Sequence, residues 1–307
     1  MSELKPRPLW LDTDPGFDDW LTMLMLAAQP GLRWLGVSVV AGNAPLEITL
    51  ANALRIRHHY RLQVPIYRGA AQPLSGRSET AERVLGPQGM RTTGAALPDV
   101  AASADGDDAV GALVAALEAS LERVTIVAIG PLTNIALALQ RAPQVKSRIA
   151  EIAMMGGSTD RGNHTPAAEF NIHADPEAAD IVFSSGVPLR MFGLNVCRQV
   201  LLTREHVEQV KALPDAWLAG HLEAYQRIRS ADGSVRMPVY DPVVAAWLAQ
   251  PDLFTFQPAR VDIELQGRFT RGMTVCDFRG QPNVQVAMTA DGARVIALLL
   301  QTIGVRT

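Results

Sequence analysis

The sequence has little of what marks several large protein classes. Of 307 residues only Cys197 and Cys276 are cysteines, and their spacing is not typical of metal ligands. Two thiols cannot form a disulfide framework for a chain this long, so a reducing compartment, the cytoplasm, is predicted. The opening MSELKPRPLWLDTD lacks the apolar run of a signal peptide. No stretch approaches the ~18 consecutive apolar residues of a membrane span, so no membrane association is expected.

Charge and aromatic content argue against a nucleic-acid partner. The formal net charge is −3, and aromatic residues make up 6% of the chain. A polymer-binding surface needs a basic patch with interleaved aromatic side chains, and the sequence indicates neither. A small molecule is therefore the expected partner. The 48% hydrophobic content is sufficient for a sizeable core.

Apolar runs that alternate with helical patterns predict an α/β fold. Six runs have the near-continuous apolar character of parallel strands covered on both faces: 8–14, 33–40, 64–67, 124–130, 152–157 and 187–193. Helical periodicity lies between them, at 17–29, 46–60, 107–121, 132–141 and 175–185. This alternation predicts a doubly wound, mostly parallel sheet with helices on both faces. Ligands of such sheets bind beyond the carboxyl ends of the strands.

The remaining segments complete this predicted layout. Residues 70–105, rich in glycine, proline, alanine and serine, predict a long mobile loop, and loops of that length are often functional. A helical pattern covers 203–229, an alternating pattern at 254–287 predicts a β-hairpin region, and 293–303 predicts a closing helix. Because no repeat, linker or composition break divides the chain, residues 1–307 are expected to form a single domain.

The most informative motif is DTDPGFDD, where the first predicted strand meets the first predicted helix. Its four aspartates, Asp12, Asp14, Asp18 and Asp19, repel one another, so the cluster costs stability unless a cation neutralises it. Oxygen ligands without nearby cysteine or histidine favour a hard ion, Ca²⁺ or Mg²⁺, over zinc. A simpler interpretation places Asp18 and Asp19 at a helix N-terminus, where acids are favourable. It does not account for Asp12 and Asp14.

This motif resembles the N-terminal signature of the inosine-uridine-preferring nucleoside hydrolase family, and further blocks follow in the family's order. VVAGN (39–43) is similar to the motif after the second strand, and VAIGPLTNIALAL (127–139) to the segment that supplies a backbone carbonyl to the metal. Residues 154–183 resemble the ribose-binding signature. Asp241, in YDPVVAAW, falls at the last metal carboxylate. The resemblance implies a nucleoside hydrolase-like, Rossmann-like fold and Ca²⁺-dependent hydrolysis of ribonucleosides to ribose and a free purine or pyrimidine base.

The resemblance also implies a metal site and an oligomer. Asp14 would bind Ca²⁺ and act as general base for a metal-held water. The other metal ligands would be Asp19, Asp241 and the backbone carbonyl of Ile129. Asp12 would orient these neighbours without touching the metal. Ca²⁺ is favoured over Mg²⁺, and a homodimer or homotetramer is expected from the family.

A second group of residues is expected to bind the sugar. By the family pattern, Asp18 would reach a ribose hydroxyl, and Asn163, Glu169 and Asn171 would form a second hydroxyl-binding wall. Asn offers both a donor and an acceptor, and Glu accepts from two hydroxyls, so such groups can recognise a diol. Asn43 has two interpretations: it supports the substrate and metal site, or it caps the following helix.

Departures from the family pattern leave the acid for the leaving base open. Where several members carry a histidine before the last metal aspartate, this sequence has Tyr240. Where pyrimidine-preferring members often carry another histidine, it has Leu85. His164 lies within the ribose signature but is expected to face away from the site. Tyr240 could therefore stack on the base, donate a hydrogen bond or only form a pocket wall, and the base preference stays open.

Three functional hypotheses remain. A ribonucleoside hydrolase is favoured because every expected metal and ribose ligand is present. A related metal-dependent hydrolase of a nucleotide or modified nucleoside would need phosphate-binding basic residues, and the long loop contains Arg77, Arg83 and Arg91. A non-catalytic nucleoside-binding protein would be expected to lack Asp14 or Asp241, and both are present.

Overall fold

The computed structural model describes residues 6–229 and 236–305. These residues form eleven strands: β1 (Arg7–Thr13), β2 (Leu32–Val39), β3 (Ile66–Arg68), β4 (Val124–Ala128), β5 (Ile149–Met155), β6 (Leu189–Phe192), β7 (Leu201–Leu202), β8 (Met237–Pro238), β9 (Phe254–Ile263), β10 (Thr274–Asp277) and β11 (Val284–Ala290). They also form twelve α-helices: α1 (Phe17–Ala27), α2 (Leu46–His59), α3 (Glu82–Leu85), α4 (Ala109–Ala119), α5 (Thr133–Arg141), α6 (Phe170–Ala174), α7 (Pro176–Phe183), α8 (Leu194–Cys197), α9 (Arg204–Lys211), α10 (Ala216–Arg229), α11 (Pro242–Ala249) and α12 (Gly292–Thr302).

Nine of the strands in the described part of the chain pair into one sheet. Their order is β10-β9-β11-β6-β5-β4-β1-β2-β3, and all pairs from β11 to β3 are parallel. From β1 the chain winds outward through β2 to β3, then restarts on the other side at β4 and continues through β5 to β6. The direction of winding therefore changes between β1 and β4, which is where such sheets bind ligands. The predicted doubly wound α/β fold is confirmed.

Both faces of this sheet are covered by apolar helices. Successive side chains of a strand point to opposite faces. In β4, Ile126 and Ala128 belong to an apolar cluster that includes residues of α4, α5 and α7. Val127 belongs to the cluster on the opposite side, which includes residues of α1, α2, α10, α11 and α12. Because both faces are buried, a near-continuous apolar run is needed, and this explains why the strands were visible in the sequence.

The antiparallel end of the sheet also follows the sequence pattern. β9 pairs with both β10 and β11 in antiparallel register, as the alternation over 254–287 predicts, and α12 closes the fold. The helical pattern over 203–229 is divided into α9 and α10, since Pro214 lies between them and cannot donate a backbone hydrogen bond. None of the helices in the described ranges combines the length and apolar character that a membrane crossing requires.

Two helix starts agree with the capping residues in the sequence. Thr203 is the N-cap of α9, and its N–H donates to Nδ1 of His206 at 3.1 Å. Asp175 is the N-cap of α7 and accepts from the N–H of Ala178 at 3.1 Å, with Pro176 in the first turn. Asp175 therefore serves the start of a helix, as its Asp-Pro pair predicts.

Candidate active site

A cavity of about 550 Å³ opens beyond the carboxyl ends of the parallel strands. Most of the residues that the sequence predicts for the site lie on its wall: Asp18, Asn43, Ile129, Asn163, Glu169, Asn171, Tyr240 and Asp241. Asp14 and Asp19 are buried behind this wall, and both accept hydrogen bonds from Asn43. The fold thus brings together residues from the segments that follow strands β1, β2, β4 and β5 and from the loop before α11.

Two glycines, Gly42 and Gly130, make room for the carboxylate of Asp14. A side chain at either position would collide with it. A Cβ at Gly42 would lie 2.1 Å from its Oδ2, and a Cβ at Gly130 would lie 2.6 Å from its Oδ1. Oδ2 accepts from the backbone N–H of Asn43 at 2.7 Å. Oδ1 is buried and has no hydrogen-bond partner among the described residues. Burial, and then the neighbouring Asp19, raise the pKa of Asp14 well above its ordinary value.

Asp19 is held by donors from the end of β1, from the loop before α1 and from the loop after β2. Its carboxylate accepts from Oγ1 of Thr13 at 2.5 Å, from the N–H of Gly16 at 2.9 Å and from Nδ2 of Asn43 at 3.0 Å. Asp19 lies at the third position of α1, and by accepting from the N–H of the N-cap residue Gly16 it stabilises the start of this helix. Asp19 therefore stabilises the start of α1, as the simpler interpretation predicts, and this role is compatible with binding a metal.

Asn43 connects the two buried aspartates. Its backbone N–H donates to Asp14, and its Nδ2 donates to the carbonyl oxygen of Asp14 at 3.0 Å and to Asp19. The N-cap of α2 is Pro45. The alternative that Asn43 caps this helix is therefore wrong, because the loop turns two residues further before the helix begins.

Three carboxylates converge at the inner end of the cavity. Oxygens of Asp18, Asp19 and Asp241 all lie within 4.8 Å of one another. Burial raises the pKa of Asp241, and the charges of Asp18, Asp19 and Asp14 raise it further. Such a buried group of like charges is unfavourable until a cation offsets it, and the unpaired Oδ1 of Asp14 adds a ligand atom of the same kind. The donor set therefore fits a hard divalent cation.

Asn171 and Glu169 form the opposite wall, and they are firmly engaged with the backbone. Nδ2 of Asn171 donates to the carbonyl oxygen of Ile129 at 3.0 Å and to that of Met155 at 3.1 Å. The expectation that this side chain offers a ligand both a donor and an acceptor is therefore wrong, since its amide hydrogens are used internally. Its amide oxygen is the atom it presents. Glu169, 3% exposed, accepts from three backbone N–H groups, including that of Gly157 at 3.0 Å.

A hydrogen bond within its own loop fixes the orientation of the Asn163 side-chain amide. Its Oδ1 accepts from the N–H of Phe170 at 3.0 Å, which directs the amide nitrogen as the donor for a ligand. Asp12 lies deeper, fully buried, and accepts from Oγ of Ser38 and from Nδ2 of Asn134. Burial raises the pKa of Asp12 to about 7. Through Asn134 it is connected to the ends of neighbouring strands, which agrees with an orienting role.

The cavity also has residues that the sequence did not predict. Besides the predicted Tyr240, which is 9% exposed, the wall includes Tyr225 from α10, which the sequence did not single out. Phe170 follows Glu169 directly, so its position in the ribose signature was a usable signal. No sequence pattern distinguishes Tyr225, because residues of α10 that face the core and those that face the cavity follow the same helical periodicity. The predicted long loop contains α3 and supplies residues 79–81 and 83–85 to the wall.

His164 lies on the cavity wall, so the expectation that it faces away is wrong. Its Nε2 lies 2.9 Å from Oε2 of Glu79, which belongs to the long loop. Nε2 of His173 also lies near this carboxylate, 3.6 Å from Oε2 of Glu79, and burial lowers the pKa of His173. The sequence could not predict this position, because Glu79 and His164 are 85 residues apart and meet only when the long loop folds over the ribose signature.

Known proteins with the same features identify the family. The sequence profile described as inosine-uridine preferring nucleoside hydrolase matches residues 9–297. The chain belongs to this family of hydrolases. It is 42% identical to the non-specific ribonucleoside hydrolase RihC of Escherichia coli (strain SE11) over 289 residues, which cover 92% of this chain and 94% of that protein.

Two further relatives agree in sequence and in structure. The pyrimidine-specific ribonucleoside hydrolase RihA of Shewanella sp. (strain MR-4) is 40% identical over 311 residues, covering 98% of this chain and 97% of that protein. A purine-preferring ribonucleoside hydrolase from Gardnerella vaginalis has the same fold, with a TM-score of 0.90 at 30% identity, covering 97% of this chain and 98% of that one. The family resemblance predicted from the motifs is confirmed.

Proposed function

We propose that this protein hydrolyses the N-glycosidic bond of ribonucleosides with the help of Ca²⁺ and releases ribose and a free purine or pyrimidine base. The observation that carries the proposal is the buried Oδ1 of Asp14, which has no partner among the described residues and lies close to the converging carboxylates of Asp18, Asp19 and Asp241. Its cavity also has a wall suited to a diol. The names of the relatives, which are all ribonucleoside hydrolases, support the same reaction.

Four groups would hold the cation: the carboxylates of Asp14, Asp19 and Asp241 and the carbonyl oxygen of Ile129. Their oxygen chemistry and their raised carboxyl pKa values support a hard ion, with Ca²⁺ preferred over Mg²⁺ because the site is rich in carboxylates. When bound, Ca²⁺ would lower the pKa of a water in the site and offset the repulsion among the aspartates.

Asp14 is the general base in this proposal. Asn43 fixes one oxygen of its carboxylate, so Oδ1 remains to accept a proton from the attacking water. The water oxygen bonds to C1′ of the sugar as the bond from C1′ to the base nitrogen breaks, and the base leaves with that electron pair. The departing base takes up a proton from solvent, and Asp14 returns the water's proton to solvent. Because the ring delocalises the charge that develops as the base leaves, the demand on a dedicated acid is lower.

The sugar is recognised by atoms with fixed donor and acceptor roles. The carboxylate of Glu169 accepts hydrogen bonds from three backbone N–H groups. Since a carboxylate can accept about four, one more can come from a ribose hydroxyl. Asn171 offers its amide oxygen, Asn163 its amide nitrogen, and Asp18 a carboxylate from the opposite wall. Buried polar groups left unpaired by a missing hydroxyl would discriminate against 2′-deoxyribonucleosides.

The base would lie against Tyr240, Tyr225, Phe170 and Leu85, which supply aromatic and apolar surface. Such a surface can bind different bases, because every base has a π face that can stack on an aromatic ring. We therefore propose that both purines and pyrimidines are accepted, as the name of the non-specific relative states for that protein.

A nucleoside fits the cavity better than a nucleotide. Among the described residues on its wall, the carboxylates of Asp18, Glu79, Glu169 and Asp241 are accompanied by a single arginine, Arg83. A substrate phosphate would meet net negative charge there, which costs free energy. We further propose, from the family resemblance, that the enzyme works in the cytoplasm as a homodimer or homotetramer.

The proposal is tested with a panel of ribonucleosides, 2′-deoxyribonucleosides and nucleoside monophosphates. Release of base and reducing sugar would be measured with excess Ca²⁺, after exhaustive chelation, and after Ca²⁺ is added back. We expect turnover of inosine and uridine that disappears on chelation and returns with Ca²⁺. Activity that survives complete metal removal would refute the metal-assisted mechanism, and turnover of monophosphates alone would refute the substrate class.

A further inference from the structure

A second group of potential metal ligands lies at the rim of the cavity. Glu79 comes from the long loop, His164 from the loop after β5, and His173 from α6. Their ligand atoms all lie within 4.8 Å of one another. Oε2 of Glu79 is 2.9 Å from Nε2 of His164 and 3.6 Å from Nε2 of His173, and the two imidazole centroids are 4.6 Å apart.

The proton positions on His173 leave a lone pair directed at this group. Its Nδ1 lies 3.4 Å from the carbonyl oxygen of Arg271, which can only accept, so Nδ1 carries the hydrogen. In the neutral ring, Nε2 then presents a lone pair towards the carboxylate of Glu79. Two electron-rich atoms facing each other are unfavourable unless a proton or a metal ion lies between them. Metal-ligating histidines typically have this arrangement, with the other ring nitrogen donating to a carbonyl.

The two distances from Glu79 are close to those between the ligands of a tetrahedral ion. Zinc lies about 2.0–2.1 Å from imidazole nitrogen and carboxylate oxygen, which places adjacent ligand atoms about 3.3 Å apart in a tetrahedron. The observed separations of 2.9 and 3.6 Å lie on either side of that value. Small shifts of these side chains would bring the three ligand atoms round one ion, and a water would take the fourth position.

Among the described residues, Glu79 forms ion pairs with His164 and His173 and with no arginine or lysine. The guanidinium of Arg271 donates to both oxygens of Glu177, at 2.7 and 2.8 Å. The side chains of Glu79, His164 and His173 are 55%, 29% and 18% exposed, so an ion can reach them from solvent.

We propose that Glu79, His164 and His173 form a second metal site, for Zn²⁺ or another borderline divalent ion. Two imidazoles and one carboxylate suit such ions, whereas the all-oxygen group at Asp14 suits a hard ion. The two sites are therefore chemically distinct. A bound ion would join the long loop to the ribose signature across the rim, so it would hold the wall formed by residues 79–85 in place and reshape the entrance to the cavity.

The test is a titration of the full-length protein with Zn²⁺ in the presence of excess Ca²⁺, which keeps the carboxylate site filled. Isothermal titration calorimetry should give one Zn²⁺ per chain. His164→Ala and His173→Ala should each weaken binding at least tenfold, and Glu79→Gln should weaken it by a similar factor. His58→Ala removes an exposed imidazole from α2 and serves as the matched control, with binding unchanged.

Co²⁺ provides a second readout that does not depend on activity. Bound to the wild type, it should give the intense visible absorption of a four-coordinate ion, and this absorption should be absent from the His164→Ala protein. Circular dichroism and the unfolding midpoint would check that each variant is folded. If Zn²⁺ fails to bind in excess Ca²⁺, or binds equally well to the His164→Ala/His173→Ala protein, the three side chains form only an ion-paired hydrogen-bond group and the proposal is refuted.

Discussion

Asn171 donates a hydrogen bond from Nδ2 to the carbonyl oxygen of Ile129 at 3.0 Å. This bond joins the ribose wall to the strand end that we propose as a metal ligand. A carbonyl has two lone pairs, so the oxygen of Ile129 can accept from Asn171 and still bind a cation. The two halves of the proposed site are therefore coupled through one side chain, and a change at Asn171 should disturb both.

Replacement of Asn171 by Ala should weaken substrate and metal binding together. It leaves the carbonyl oxygens of Ile129 and Met155 without their donor, and each unsatisfied buried group costs about 1–3 kcal/mol. We expect lower stability in urea, a higher KM for inosine and a weaker Kd for Ca²⁺. Asn283→Ala, which removes an amide donor to the carbonyl oxygens of Phe183 and Val261 and does not line the cavity, is the matched control. A raised KM with unchanged Ca²⁺ affinity would contradict the coupling.

Asp14→Asn should abolish turnover and leave the fold intact. The substitution removes the proposed base and one charge from a buried cluster in which burial and Asp19 already raise the pKa of Asp14. The unfolding midpoint of the metal-free protein should therefore be equal to or above that of the wild type. Asp252→Asn, at an exposed aspartate paired with Arg294, should leave the rate unchanged. Near-normal activity of Asp14→Asn would remove this residue from the role of base.

The stabilisation by Ca²⁺ should increase with pH. Burial raises the folded-state pKa of Asp12 to about 7 and raises those of Asp14, Asp19 and Asp241. These protonated carboxyls contribute stability below their unfolded pKa of about 4, and the contribution is lost as pH rises through the folded pKa values. The deprotonated group then binds Ca²⁺ best.

The gain in unfolding midpoint on adding Ca²⁺ should accordingly be larger at about pH 8 than at about pH 5, because protons compete with the ion at the lower pH. Differential scanning fluorimetry with and without Ca²⁺ would measure both gains. Asp241→Asn should lose most of the gain at the higher pH. A larger gain at the lower pH would be incompatible with a carboxylate metal site.

Substitutions at Tyr240 should distinguish stacking from proton donation. If the ring stacks on the base, Tyr240→Phe should keep most activity and Tyr240→Ala should lose about 1–3 kcal/mol of transition-state stabilisation. We favour this outcome, since Tyr225 and Phe170 line the same cavity and supply further aromatic surface for a base.

If the Tyr240 hydroxyl protonates the leaving base, Phe should be nearly as damaging as Ala, and the loss should shrink with p-nitrophenyl riboside, which has a good leaving group. Steady-state kinetics on inosine, uridine and this riboside would separate the cases. Wild-type behaviour of both variants on all three would make Tyr240 a pocket wall alone.

Much of the fold could be predicted because local chemistry agrees with the final structure. The apolar runs became strands buried on both faces, and the polar motifs after β1, β2 and β4 met at one sheet edge because parallel strands align their carboxyl ends. The turn at Gly16 and the position of Asp19 in the first turn of α1 are likewise set by neighbours close in the chain.

What only the tertiary structure decided depends on partners distant in sequence. The sequence identified Asn171 and His164 as polar, but not that the amide of Asn171 is used by Ile129, 42 residues away, or that His164 meets Glu79, 85 residues away. It also could not select Tyr225 from the other apolar positions of α10. Hydrogen-bond capacity and cavity exposure are properties of packed surroundings, and packing between remote segments leaves no periodic trace in the chain.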